Sequence, residues 1–193
     1  MTDPFGDRLP VLETPRLRLR PVGPEDADAL LAVFGDEETM QYWSHAPMRD
    51  REAALAYARQ IADGFASRSL FQWGITVRGE DRLIGTCTLA GWSREHRRAE
   101  LGYILGREHW GQGLAAEAVS AVLRFAFGPM GLHRVEADVD PENEPSIRLL
   151  ERLGFTREGF LRDRWWPYGE PRHTLLFGLL KPEAPLLLTA DAP

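Results

Sequence analysis

Residues 99–118, with the sequence AELGYILGREHWGQGLAAEA, decide how the rest of this chain is organised. The first seven residues are typical of a buried β-strand, and the last five begin an apolar helix. In the loop between them, Gly111 and Gly113 allow a sharp turn and leave the amides of residues 112–116 uncovered at the positive end of the helix dipole. Such a loop can cradle phosphate oxygens, although a plain helix-entry turn would carry the same glycines.

Two other phosphate-binding loops can be tested against these residues. A nucleotide P-loop closes on Gly-Lys-Ser/Thr, whereas Leu114 and Ala115 follow the glycine here, so that loop is excluded. The dinucleotide fingerprint G-x-G-x-x-A is matched by residues 111–116, with Glu136 about 20 residues further on. However, a bulky loop over residues 106–110 precedes the first glycine, and too little chain follows to build a doubly wound sheet. A nicotinamide oxidoreductase is therefore the weaker alternative.

The composition bounds the class of protein. With 193 residues, 44% of them hydrophobic and 27% charged, the chain is expected to fold as one globular domain. A formal charge of -6 argues against binding nucleic acid through its phosphates. The single cysteine, Cys87, lies in an apolar run and is expected to be a packed thiol in a cytoplasmic protein. No apolar run is long enough to cross a membrane and the five histidines show no metal-ligand spacing, so we expect neither a membrane nor a metal.

The predicted elements alternate in type along the chain. They are a strand at 16–22, helices at 24–34 and 50–65, strands at 71–77, 83–92 and 99–105, a helix at 114–127, a strand at 133–139, a helix at 144–153, and strands at 155–164 and 174–180. The first strand alternates apolar and basic residues, so its arginines are expected to face solvent. This mixture predicts a layered α+β (α/β) fold with a parallel crossover. We expect one domain over residues 10–181 and a loosely held tail over residues 182–193.

The ordered motifs of the chain resemble the GNAT superfamily of N-acetyltransferases, in particular its RimJ/RimL-like branch, the ribosomal-protein-alanine N-acetyltransferases. The likeness covers residues 12–180. It is carried by an opening strand at 12–20, by residues 100–103 and 110–118, and by a second motif at 143–146 and 153–155. The resemblance implies a mixed, mostly antiparallel sheet flanked by about four helices. It also implies that the sheet splays open between the strand ending at Leu105 and the strand starting at His133.

The resemblance further implies acetyl-CoA as cosubstrate, wedged into the gap of the sheet. The main chain of Tyr103, Ile104 and Leu105 would bond the pantetheine amides like an added strand. The pyrophosphate would be held by the loop amides of Gln112, Gly113, Leu114, Ala115 and Ala116. Asn143 and Ser146 are further candidates for contacts with coenzyme A, and Asn143 is equally well placed as a helix cap. Trp110 stands where the family usually has Gln or Arg.

Amine acetylation needs no covalent intermediate, because a deprotonated amine can attack the thioester directly in a ternary complex. Glu100, polar within an apolar strand, is the candidate that accepts the amine's proton. The alternative for Glu100 is an outward-facing or structurally paired carboxylate. The candidate proton donor to the departing thiolate is Ser146, with Tyr168 and Tyr103 behind it.

In the family that the chain resembles, the acceptor lies opposite coenzyme A, between the loop joining the first two helices and the hairpin before the last strand. The candidate acceptor-binding residues are Trp43, His45, Glu100, Trp165 and Trp166. Aromatic walls beside a carboxylate suit a cationic amine, whereas core or interface packing is the other explanation for the tryptophans. The resemblance thus implies an acetyltransferase acting on a protein N-terminus or a small-molecule amine. The alternative is a non-catalytic acyl-CoA-binding module, and dimerisation through the aromatic hairpin is a further hypothesis.

Overall fold

The computed structural model describes residues 4–184, apart from the side chain of Tyr168, and arranges them around one eight-stranded sheet. The strands are β1 (Leu12–Glu13), β2 (Leu17–Pro21), β3 (Leu70–Val77), β4 (Leu83–Ser93), β5 (Arg98–Leu105), β6 (Arg134–Val139), β7 (Thr156–Trp165) and β8 (Arg172–Leu180). The α-helices are α1 (Ala27–Phe34), α2 (Glu37–Met40), α3 (Arg51–Ala66), α4 (Leu114–Phe127) and α5 (Glu144–Arg152). Most of the predicted tail lies outside the described residues.

The described part of the chain has five α-helices, where about four were expected. The additional one is α2, a single turn that begins because the Asp36 side chain accepts a hydrogen bond from the Thr39 amide at 2.7 Å. None of the helices within residues 4–184 combines the length and the apolar character needed to cross a bilayer.

The strand order is β1-β2-β3-β4-β5-β6-β8-β7, and each neighbouring pair is antiparallel except β5 and β6. Helix α4 provides the crossover between these two parallel strands. The prediction of a mixed, mostly antiparallel sheet is therefore confirmed.

The sheet is open between β5 and β6. The two strands pair over three positions only, with Arg98, Ala99 and Glu100 opposite residues 134–136. Beyond Glu100, β5 stays paired with β4 as far as Leu105, while β6 stays paired with β8. The facing edges therefore separate, and this part of the β5 edge carries main-chain groups that β6 does not satisfy. The predicted splay is confirmed.

Two hydrophobic clusters hold the faces of this sheet. The larger one packs α4 against the sheet and includes Trp73 and Phe127, while the smaller one packs α1 and α3 and includes Phe34. Strand β5 contributes Leu101 to the larger cluster and Ile104 to the smaller one, because successive strand residues point to opposite faces. The strand beside the opening is thus fixed from both sides.

Two single residues test the packing expectations. Cys87 is fully buried in the larger cluster, and burial raises the pKa of its thiol to about 12, which suits a packing role. Arg20 does not face solvent as expected. Its side chain is 14% exposed, and its guanidinium donates to both carboxylate oxygens of Asp26 at 2.8 and 2.7 Å. An alternating pattern shows on which face of the strand a residue lies, but not whether an acidic side chain from another element lies close enough to pair with it.

Candidate active site

The loop between β5 and α4 has the backbone conformation of an anion cradle. Gly111 and Gly113 have φ values of 71° and 74°, in the left-handed region that a Cβ disfavours. Gly113 is the N-cap of α4 and offers no side-chain cap. Because the helix begins its main-chain bonding with Glu117 N to Gly113 O at 3.2 Å, the amides of residues 114–116 precede that ladder. Within residues 4–184 no main-chain acceptor is bonded to them, so they can donate to anionic oxygens.

The same loop is anchored from outside by Glu117, in the first turn of α4. One carboxylate oxygen accepts from the Thr14 hydroxyl at 2.6 Å and from the Arg16 amide at 2.8 Å. The other accepts from Arg16 Nε at 2.6 Å, and Arg16 Nη1 donates to the Gln112 carbonyl oxygen at 2.9 Å. Arg16 is exposed, as the alternating pattern of the first strand predicted. The structure places its cation against the glycine loop.

The edge of β5 next to the opening holds Tyr103, Ile104 and Leu105, the residues expected to meet pantetheine. The Leu105 carbonyl oxygen already accepts a hydrogen bond from the Trp110 indole at 2.7 Å. This bond folds the loop back onto the end of the strand. It also gives Trp110 a structural role at the position where the resembling family usually has Gln or Arg.

A cleft of about 200 Å³ lies where β5 and β6 separate. Its walls are formed by residues 41–44, 100–103 and 137–140, with side chains from α5 and from the β7–β8 hairpin. The predicted site residues that it brings together are Trp43, Glu100, Tyr103, Asn143, Ser146 and Trp165. The gap in the sheet therefore joins residues from four separate stretches of the chain.

Other predicted residues are placed differently. The His45 ring packs against Trp43, tilted by 59° with ring centroids 5.6 Å apart, but His45 does not line the cleft. Trp166 is 64% exposed and also lies outside the cleft lining. The Tyr168 side chain lies outside the described residues. Within residues 4–184, no group of three or more His, Cys, Asp or Glu side chains is arranged to hold a metal ion.

Glu100 shares the cleft with two further acidic residues, Asp138 and Asp140, which sequence reasoning missed. Loss of hydration raises the pKa of Glu100, and the negative charges of Asp138 and Glu136 raise it further. Loss of hydration also raises the pKa of Asp138, while Arg164 opposes that shift. A carboxylate of raised pKa is a better proton acceptor near neutral pH. The alternation of β6, with acids at 136 and 138 between apolar residues, was the signal available for finding Asp138.

Two hydroxyl groups meet at the floor of the cleft. The Tyr103 and Ser146 oxygens lie 2.6 Å apart, although the residues are 43 positions apart in the chain. Ser146 is also fixed through its main chain, because its amide donates to Asn143 Oδ1 at 3.2 Å. Asn143 is thus the N-cap of α5, as its capping alternative predicted, and its side chain also lines the cleft.

The chain is similar to known N-acetyltransferases over most of its length. Residues 16–156 match the family model described as an acetyltransferase (GNAT) domain. An uncharacterized N-acetyltransferase of Bacillus subtilis, YoaA, is 38% identical over 174 residues, which are 90% of this chain and 98% of that protein. The ribosomal protein uS5-alanine N-acetyltransferase of Escherichia coli is 30% identical over 190 residues, 93% of this chain and 97% of that one. Mycobacterium smegmatis RimJ, solved in complex with CoA-disulfide, shares the fold with a TM-score of 0.84 at 24% identity, covering 93% of this chain and 91% of RimJ.

Proposed function

Because this chain belongs to the GNAT acetyltransferase family, we propose that it moves the acetyl group of acetyl-CoA to a primary amine by direct attack within a ternary complex. The observation that carries this proposal is the separation of β5 from β6 after Glu100. It leaves an open strand edge between an anion cradle and a cleft that holds carboxylates. A donor that is long, amide-containing and phosphorylated fits that arrangement.

The donor half of the proposal rests on main-chain groups. The β5 edge over residues 103–105 would bond the pantetheine amides in the manner of an added strand. The amides of residues 112–116 would bind the pyrophosphate. The Arg16 guanidinium, paired with Glu117, holds the loop through the Gln112 carbonyl oxygen. A main-chain amide at the gap would polarise the thioester carbonyl and stabilise the oxyanion that forms on it.

The acceptor half rests on the side chains of the cleft. The incoming ammonium would lose a proton to Glu100, directly or through one water, and the free amine would attack the thioester carbon. As the carbon–sulfur bond breaks, the Ser146 hydroxyl would donate a hydrogen bond to the sulfur that becomes a thiolate. Trp43 and Trp165, which line the cleft, would pack on the cationic acceptor.

The proposal also concerns which class of amine accepts the acetyl group. The Escherichia coli relative acts on an alanine of a ribosomal protein, which supports a peptide with a free N-terminal amine as the first acceptor to test. Small-molecule amines, including amino acids and polyamines, form the second group.

A two-stage experiment tests the proposal. Thermal unfolding is measured with acetyl-CoA and, separately, with NADH, since a ligand at 100 times its dissociation constant stabilises by about 2.7 kcal/mol. Release of free coenzyme A thiol is then followed across peptide and small-molecule amines, with acetylated product identified by mass. Stabilisation by acetyl-CoA with amine-dependent thiol release supports the proposal. Stabilisation without transfer would favour the non-catalytic module, and stabilisation by NADH instead would favour the oxidoreductase.

A further inference from the structure

We propose that Tyr103 is a positioning residue that holds the Ser146 hydroxyl in the orientation needed to hydrogen-bond the departing sulfur. The inference rests on the proposed function, because it adds a second residue to the step in which the thiolate leaves. The observation behind it is the 2.6 Å separation of the two hydroxyl oxygens inside the cleft. This is a normal, well-formed O–H···O hydrogen bond.

The pair joins the two sides of the split sheet. Tyr103 lies on β5, which continues paired with β4, whereas Ser146 lies in the first turn of α5, which follows β6. The Tyr103 ring packs against the larger hydrophobic cluster, which fixes the direction of its hydroxyl. A serine hydroxyl rotates freely unless a partner holds it. Tyr103 is therefore the rigid member of the pair and Ser146 the adjustable one.

The geometry favours Tyr103 as the donor. If Ser146 donated instead, the protein acceptor beside the phenol would be the Ser146 carbonyl oxygen, 3.5 Å away, at the outer limit of hydrogen bonding. With Tyr103 donating to Ser146 Oγ, the serine proton is free to point into the cleft. A hydroxyl that accepts one hydrogen bond also becomes a stronger donor in the next one.

The step balances without moving the tyrosine proton. The amine nitrogen forms its bond to the thioester carbon, the carbon–sulfur bond breaks, and the electron pair stays on sulfur. Ser146 donates a hydrogen bond to that developing negative charge. Before the attack Glu100 takes one proton from the ammonium and passes it to solvent. After the attack Glu100 takes the second proton, which the nitrogen must lose to become the amide. Burial raises the pKa of the Tyr103 phenol, so Tyr103 keeps its proton and acts only through Ser146.

The test compares Tyr103→Phe, Ser146→Ala and the double variant in single-turnover acetyl transfer at saturating acetyl-CoA. We expect each single variant to slow transfer about tenfold, because a hydrogen bond to a charged group is lost or misdirected. The double variant should be no slower than Ser146→Ala, since Tyr103 works through Ser146. The dissociation constant of acetyl-CoA should stay within about twofold of the wild type.

A matched control is available at Tyr57. Its hydroxyl is also enclosed and exchanges hydrogen bonds with Gln72 at 3.1 and 2.9 Å, on the face of the sheet packed by α1 and α3. Tyr57→Phe should lose a comparable hydrogen bond and leave the transfer rate unchanged. If Tyr103→Phe does not fold, 3,5-difluorotyrosine at position 103 replaces it. The phenol of difluorotyrosine is more acidic, so it ionises at lower pH and can then no longer donate. The alkaline limb of the pH–rate profile should therefore move to lower pH than in the wild type.

Several results would overturn the inference. One is a Tyr103→Phe transfer rate within twofold of the wild type, and another is a double variant slowed by the product of the two single effects. A third is a variant that loses acetyl-CoA affinity but keeps its transfer rate. The last is an alkaline limb of the pH–rate profile that difluorotyrosine at position 103 does not move. In each of these cases an active wild-type protein leaves the proposed function intact. A wild-type protein that transfers acetyl to no amine would remove both proposals.

Discussion

The Glu117 carboxylate pairs with the Arg16 guanidinium at 2.6 Å and so ties the start of β2 to the helix that closes the glycine loop. Loss of hydration opposes the charge on Glu117, but hydrogen bonds from Thr14 and Arg16 together hold its pKa below the ordinary value. The carboxylate therefore stays ionised at neutral pH. The shape of the proposed phosphate cradle thus depends on a turn about 100 positions earlier in the chain.

Replacing Glu117 by Ala should lower the free energy of unfolding by about 1–3 kcal/mol. The buried Thr14 hydroxyl loses its 2.6 Å acceptor and keeps only the Leu17 carbonyl oxygen at 3.2 Å, and Arg16 Nε loses its carboxylate partner. Urea unfolding measures this, with Glu151→Ala, an exposed position on α5, as the control. A lowered pKa stabilises the fold at neutral pH, and that contribution is lost as pH falls through the pKa of Glu117. The gap between wild type and variant should therefore narrow in acid. Equal losses in both variants would contradict the anchoring role.

Replacing Gly113 by Ala should weaken acetyl-CoA binding, because a Cβ disfavours the left-handed φ of 74° that aims the loop amides. Calorimetric titration measures the affinity. Gly91→Ala is the matched control. Gly91 also has a positive φ, has open space around it, and lies near the C-terminal end of β4 and not in the glycine loop. Both variants should lose stability, and only Gly113→Ala should lose affinity. Normal affinity in Gly113→Ala would argue against the cradle.

Replacing Glu100 by Gln should lower kcat/KM for the amine by about 10²- to 10⁴-fold, the usual effect of losing a general base. The dissociation constant of acetyl-CoA should be unchanged, and Glu95→Gln, in an exposed turn, should behave as wild type. Steady-state kinetics and ligand titration together check both statements. A variant that loses stability but keeps its rate would identify Glu100 as a structural carboxylate.

Replacing Asp138 by Asn should move the acid limb of the pH–rate profile to lower pH. The negative charge of Asp138 disfavours the ionised form of Glu100 and so raises its pKa. Without that charge, Glu100 stays ionised, and able to accept a proton, down to a lower pH. The measurement is kcat/KM for the amine against pH. An acid limb that stays in place or moves upward would rule out this coupling.

The adjacent tryptophans of the β7–β8 hairpin should differ in effect. Trp165 lines the cleft, whereas Trp166 is 64% exposed outside it. Trp165→Ala should raise KM for a cationic amine about tenfold, equivalent to ~1.4 kcal/mol of lost cation–π and packing contact. KM for acetyl-CoA should not change, and Trp166→Ala should leave both constants near wild type. Equal effects of the two substitutions would place the acceptor elsewhere.

The sequence was most informative where the signal is local. Helix α4 begins and ends at the predicted residues, Leu114 and Phe127, because the glycine loop before it and Gly128 after it interrupt a continuous apolar helix. Helix α2 was missed, since a four-residue turn contains too few positions to show a helical period. The splay of the sheet followed from the resemblance of ordered motifs. Hydrophobic periodicity alone does not show where two neighbouring strands stop pairing.

By itself, then, the sequence determined the type and order of the longer elements and the glycine loop that opens α4, because these depend on backbone conformation and on hydrophobic period within a few residues. Only the tertiary structure decided which side chains meet. The pairs Arg16 with Glu117, Glu100 with Asp138, and Tyr103 with Ser146 each come from separate elements. Their contacts are fixed by sheet register and helix packing, and no local pattern records them.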